Sequence, residues 1–223
     1  MNNCKVCIVT GASRGLGRGI ALVLARDEGC NVYATARNED SLKTLAEEAA
    51  GGTKGGTVKA CKLDQSDDAA VLGFVEQIKE KESRVDLLVN SAYAGLVAMT
   101  PHFGKPFWER PLSVFDASLN IGLRSAYVMS TLVAPLMVKN KAGLIVQVSS
   151  FGGVKYLFDV GYGVGKAGLD RLTADMAAEL KPYDVHTVTL YPGGGVTEIA
   201  AFPDGETPVF TGRAVAALLN KST

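Results

Sequence analysis

Apolar positions fall into short continuous runs separated by longer stretches with helical spacing. KVCIVT (5–10), NVYATA (31–36), TVKACKLD (57–64), VDLLVNSA (85–92), GLIVQVSS (143–150) and VHTVTLYPG (185–193) read as six strands. GLGRGIALVLARDE (15–28), EDSLKTLAEEAA (39–50), SDDAAVLGFVEQIKEKE (66–82), a long stretch over 112–138 and another near 160–181 read as helices. Ile20 and Leu24 share one face of the first helix, and Ser66 is a candidate N-cap for the third, with acids in the turn that follows. GGTKGG (51–56) is a connection, GLVAMTPHFGKPFWERP (95–111) is irregular, and a short AVAALLN segment closes the pattern. Continuously apolar strands alternating with helices predict a doubly wound parallel α/β sheet flanked by helices on both faces. No linker or repeat divides residues 1–223, so a single dinucleotide-binding domain is expected. Ligands in such sheets lie beyond the carboxyl ends of the strands, which directs attention to 10–17, 36–37, 64, 90–95, 149–150 and 192–197.

Composition narrows the partners. Hydrophobic residues make up 47% and charged residues 21%, which suits a globular chain with a substantial core. Lys+Arg and Asp+Glu both number 23, so no basic excess favours nucleic acid or an anionic membrane. No apolar run approaches the ~18 residues that span a bilayer, and the first glycine follows the N-terminus too soon for a signal peptide. A cytoplasmic setting with no integral membrane segment is expected; the residues leave peripheral association with an internal membrane open. Cys4 and Cys7 form a CxxC, but residues three apart on a strand point to opposite faces. With only His102 and His186 as histidines, a zinc ligand set is hard to assemble, and no metal is expected.

TGASRGLG (10–17) joins the first strand to the first helix. Gly11, Gly15 and Gly17 let backbone approach a ligand, and the helix N-terminus offers unpaired N–H groups with partial positive charge. With Ser13, Arg14 and Leu16 they form a cradle for a pyrophosphate, spaced GxxxGxG rather than GxGxxG. NAD sites place an acid at the end of the second strand; here ATARNED offers Ala36 and Arg37 first, with Glu39 and Asp40 later. Arg14 and Arg37 suit a 2′-phosphate, so NADP(H) is favoured over NAD(H). Both arginines also read as ordinary surface charges.

YGVGK (162–166) puts Tyr162 and Lys166 on one helical face, a turn apart. A phenol with a pKa near 10 needs roughly 4 kcal/mol of differential stabilisation to titrate about three units lower. A desolvated ammonium beside it acts in that direction. Ser149 and Ser150 end the preceding strand, so a hydroxyl can converge on the phenol; they read equally as turn or cap residues.

TGASRGLG, NSAYAG (90–95), Asn120, VSS (148–150), YGVGK and PGGGVT (192–197) occur in the order found in the short-chain dehydrogenase/reductase superfamily, and the chain resembles that family from about residue 5 to 200. NSAYAG, FWE (107–109) and YGVGK resemble the dehydrogenase/reductase member 1 branch. The resemblance implies a Rossmann-type fold and NADP(H)-dependent oxidoreduction between a carbonyl and an alcohol. It makes Tyr162 the general acid/base, Lys166 the ribose ligand that tunes it, and Asn120 the support of a relay water. Counting on SSxxG selects Ser150 as the catalytic serine, and counting back from Tyr162 selects Ser149. Asp64 is assigned to the adenine, Asn90 and Ala92 to the fourth strand end, and Pro192, Gly193 and Thr197 to the nicotinamide amide. Local readings stand beside these: Asn120 satisfying a backbone group, Asp64 capping the helix near 66.

Tyr93, Phe107, Trp108, Tyr156, Leu157 and Phe158 favour an apolar small-molecule ketone, aldehyde or secondary alcohol as substrate. Phe107 and Trp108 read more readily as packing residues. The family resemblance further implies a homodimer or homotetramer through 112–138 and 160–181. Two departures stand out: Ser91 with an inserted Tyr93-Ala94, and a chain with no seventh strand legible after 193. The alternative function is a catalytically quiet NADP(H)-binding scaffold or redox sensor.

Overall fold

The computed structural model describes residues 4–198, 202 and 204–221. Six parallel strands form one sheet, β1 (Val6–Thr10), β2 (Asn31–Ala36), β3 (Thr57–Lys62), β4 (Leu87–Asn90), β5 (Gly143–Val148) and β6 (Val185–Leu190), in the order β3-β2-β1-β4-β5-β6. The order reverses between β1 and β4, and that switch point opens the crevice where ligands bind. β4 pairs with β1 as Ile8↔Leu88 and with β5 as Leu88↔Ile145.

Alternation along each strand divides the core. Cys7, Val9, Val32, Ala34, Leu87, Val89, Leu144 and Val146 face one side, under α1 (Gly15–Leu22), α2 (Glu39–Ala49) and α8 (Pro208–Lys221). Val6, Ile8, Tyr33, Leu88 and Ile145 face the other, under α3 (Asp68–Lys81), α6 (Ser125–Asn140) and α7 (Val160–Leu180). Each fully buried aliphatic side chain removed from water contributes about 1.5–3 kcal/mol before chain entropy is subtracted. β3 is not buried as its apolar content suggested, because it is a sheet edge; Lys62 is exposed and Lys59 is half-exposed, paired with Glu82 at 2.9 Å. Among the described residues β6 is the other edge, paired to β5.

Several boundaries move. Asp67, not Ser66, caps α3, accepting from Ala70 N at 3.0 Å. Ser66 instead donates from N and Oγ to Asp64 at 2.9 and 2.7 Å. The first helix continues as a π turn over Val23–Asp27. The long helix comprises α5 (Leu112–Ser118), a π turn (Leu119–Arg124) and α6. Over Leu112–Asn140 it contains a window of mean hydropathy 1.4, so the expectation that no stretch reaches spanning length needs correction. Its Met129, Val133 and Met137 pack on the sheet. AVAALLN belongs to a 14-residue helix, α8, whose Gly212 backs onto α1; a Cβ at Gly19 would overlap the Pro208 backbone. No seventh strand occurs among the described residues.

Candidate active site

A cleft of about 320 Å³ opens at the switch point. One wall is the glycine loop. Gly11 has φ +68°, and a Cβ there would lie 2.7 Å from Ala92 Cα, so only glycine lets β1 and β4 end side by side. Thr10 Oγ1 locks that approach by accepting from Ser91 N at 3.0 Å and Ala92 N at 3.1 Å. Ala12 N donates to Thr35 O at 3.0 Å, tying the loop to β2. Gly15 N, at the start of α1, donates to Glu198 Oε2 at 2.9 Å, so a carboxylate sits where this loop presents donors to an anion.

The cleft is lined by Gly11, Ser13, Arg14, Gly15, Leu16, Arg37, Asp64, Ala92, Tyr162, Lys166 and Thr197 of the residues selected from sequence. Hydrogen bonds from Ser66, backbone first, hold the Asp64 carboxyl below its usual value, and Arg37 acts in the same direction. Leu63, Gln65, Ser91, Tyr93, Leu96, Ile121 and Ser149 also line it.

The far end carries the titratable pair. Asp159 caps α7, accepting from Tyr162 N at 2.6 Å, and its other oxygen takes Arg110 Nη1 at 2.8 Å, with both side chains buried. This ion pair fixes the first turn of α7, and with it the Tyr162 backbone. Phe158 adopts φ +66°, a conformation unusual for a bulky residue, which seats its ring edge-on to Tyr162 with centroids 5.1 Å apart. Lys166, one turn on, donates from Nζ to Val148 O at 2.8 Å.

Burial pushes the Tyr162 phenol up from its usual value, opposed by the nearby Ser150 hydroxyl. Burial brings the Lys166 ammonium down to about 8, opposed by Asp170. The Lys166 Nζ lies 5.9 Å from the Tyr162 ring centroid. The ammonium therefore does not by itself supply the lowering of the phenol argued from YGVGK; desolvation dominates.

Five selected residues do not line the cleft. Asn90 is buried and donates from Nδ2 to Ser130 Oγ at 3.0 Å, on the α6 side of the sheet. Asn120 is exposed within the π turn, while its neighbour Ile121 reaches the cleft. Ser150 is half-buried next to the lining residue Ser149, and its Oγ accepts from Gly152 N at 3.1 Å; Ser149 lines the cleft but donates to Lys166 O at 3.4 Å. Pro192 and Gly193 lie outside it, with Gly193 N donating to Glu206 Oε2 at 3.2 Å. Phe107, Trp108 and Tyr156 border a second hollow with Pro106, Arg110, Asp159 and Val160. Arg110, Asp159, Thr10 and Glu198 were missed; an acid three residues before Tyr162, at an N-cap spacing, was the one readable signal.

A six-stranded parallel sheet with a glycine loop at its switch point, and a Ser-Tyr-Lys group at the other end of the same cleft, defines a Rossmann-type dinucleotide fold. The chain belongs to the short chain dehydrogenase family, whose profile matches residues 5–204. It is 47% identical over 196 residues to mouse "Dehydrogenase/reductase SDR family member 1", covering 87% of this chain and 62% of the mouse protein. Identity to the human protein of the same name is 42% over 237 residues, covering 97% of this chain and 75% of the human one. The chain thus spans less than two thirds of the mouse relative. Among solved structures it resembles a metagenomic short-chain oxidoreductase in complex with NADP, with TM-score 0.82 and 29% identity over 96% of this chain and 90% of that one.

Proposed function

We propose that the chain is an NADP(H)-dependent oxidoreductase acting on an apolar ketone, aldehyde or secondary alcohol, working as one dinucleotide-binding unit. The observation that carries the reading is that Tyr162 and Lys166, one turn apart on α7, line the same cleft as the glycine loop, with Ser149 beside them. The residues fit the cofactor: Gly11, Gly15 and Gly17 line the cleft where α1 begins, and Arg14 and Arg37 both line it. A nicotinamide dinucleotide supplies the hydride.

The chain's own groups do the rest. The loop N–H groups hold the pyrophosphate, Arg14 and Arg37 grip a 2′-phosphate, Asp64 meets the adenine, and Thr197 approaches the nicotinamide amide. Ser150 orients the substrate oxygen, Tyr162 Oη gives it a proton in reduction and removes one in oxidation, and Lys166 supports the phenolate. Tyr93, Leu96 and Ile121 exclude water from that end. Assembly as a homodimer or homotetramer is supported by apolar side chains left exposed on the outer helices, Leu112, Phe115, Tyr127, Val160 and Val164.

A panel of carbonyls with NADPH, run on the wild type and Tyr162→Phe, tests the reading. Turnover lost in the variant with NADPH binding retained supports it. Absence of turnover in the wild type despite NADPH binding supports the second reading, a cofactor-binding scaffold or redox sensor, which the exposed position of Asn120 favours. Arg37→Asp moves preference toward NADH; an unchanged preference removes Arg37 from the 2′-phosphate site.

A further inference from the structure

Tyr93 belongs to the insertion in NSAYAG, just beyond β4, and its ring turns into the cleft. Lys166 Nζ stands 4.6 Å from its centroid, over the ring face. The ring meets Tyr162 edge-to-face, with centroids 5.7 Å apart and planes at 84°. Tyr93 Oη and Ser118 Oγ are 3.0 Å apart, which pins the far end of the side chain. The space it fills is kept clear from the facing helix: a Cβ at Gly122 would come within 2.8 and 2.9 Å of two ring carbons. Gly122 lies in the π turn between α5 and α6, a deviation of the kind that clusters at functional sites.

The charged and titratable groups around Lys166 Nζ are few. Val148 O accepts its one hydrogen bond to the sheet, Asp170 lies on its own helix, and Tyr162 precedes it by a turn. Asp159 acts on Tyr93 rather than on Lys166. Salt bridges reach Lys166 from none of the described residues. A buried ammonium with so few anionic partners gains from the negative face of an aromatic ring, and the gain grows as water is excluded.

We propose that Tyr93 is a positioning residue: the face of its ring holds the Lys166 ammonium at the cleft while its edge-to-face contact fixes the Tyr162 ring. Its importance for turnover rests on the reading of Tyr162 and Lys166 as the reacting pair; its hold on Lys166 does not. The arrangement makes Tyr93, Gly122 and Ser118 one unit, since the ring needs the glycine for space and the serine for its anchor.

The test follows the Lys166 Cε resonance of the full chain labelled with [13C]lysine, assigned by its loss in Lys166→Met. Tyr93→Leu keeps an apolar side chain without the ring's quadrupole and lowers the Lys166 midpoint by about one pH unit, a roughly tenfold change in proton affinity. Tyr93→Phe keeps the face and stays within about 0.3 unit of wild type. Gly122→Ala pushes the ring aside and lowers the midpoint as Tyr93→Leu does. Midpoints unmoved in both Tyr93→Leu and Gly122→Ala overturn the proposal, as does a Tyr93→Phe midpoint that falls as far as the Leu variant. If the wild type also reduces a carbonyl, Tyr93→Leu moves the rise of alcohol oxidation to higher pH, because a less charged Lys166 leaves the phenol harder to ionise. A wild type without turnover sinks the proposed function, while the Lys166 titration still decides this one.

Discussion

Arg110→Met tests the chain of contacts that fixes the reacting phenol. Arg110 Nη1 and Asp159 Oδ2 are 2.8 Å apart, and their side chains are 8% and 3% exposed. Removing the guanidinium leaves a carboxylate buried with only the Tyr162 N–H as partner. Breaking a buried pair from one side costs about 3–5 kcal/mol. For a domain of this size each kcal/mol moves Tm by roughly 2–4 °C, so Arg110→Met is expected to melt roughly 6–20 °C below wild type. Asp159→Asn strands the arginine instead, although asparagine still caps a helix. The double variant Arg110→Met/Asp159→Asn has neither charge and keeps a cap, so it recovers most of the loss, with a coupling of about 2 kcal/mol or more. Thermal and urea unfolding of the four proteins measure this cycle. Strict additivity, or an Arg110→Met protein melting within about 2 °C of wild type, would refute the reasoning.

Other outcomes follow from the same site. Glu198→Gln removes the carboxylate that competes for Gly15 N–H; discounted for exposure, the interaction is worth about 1 kcal/mol, so NADPH binding by fluorescence titration tightens about fivefold, and an unchanged or weaker Kd refutes the competition. Lys166→Met stabilises the ligand-free chain by about 3 kcal/mol at pH 7, because folding lowers the Lys166 pKa from 10.5 to about 8. Below pH 8 both folded and unfolded chains carry the proton and the whole penalty applies; between 8 and 10.5 the unfolded chain binds more proton, so wild-type stability gains and the variant's advantage fades. A Lys166→Met chain less stable than wild type in urea at pH 7 contradicts this.

Local signals made most of the cleft legible. The glycines, Arg14, Arg37 and Asp64 lie within a few residues of strand ends, and a parallel sheet brings strand ends together whatever else the chain does. Asn120 lies in the π turn over Leu119–Arg124, where its side chain is exposed and its neighbour Ile121 lines the cleft, a local geometry that sequence spacing does not show. Asn90 ends β4, and the strand's alternation turns its side chain to the α6 side, where it meets Ser130, a partner that only the packed layers reveal. Arg110–Asp159 joins residues 49 apart in sequence, a pairing that depends on how the irregular stretch before α5 folds back. The Tyr93 ring was visible as an aromatic residue near the site, but its place over Lys166 depends on empty space at Gly122, which only packing reveals.

The two margins of the sheet behave differently as templates. The β3 margin carries Lys59 and Lys62, charges that discourage a stray strand from docking. The β6 margin, VHTVTL, has no Asp, Glu, Lys or Arg. Two chains that zip together along β6 would present only lysine-bearing flanks outward, so such growth halts at a pair instead of running on into a fibre.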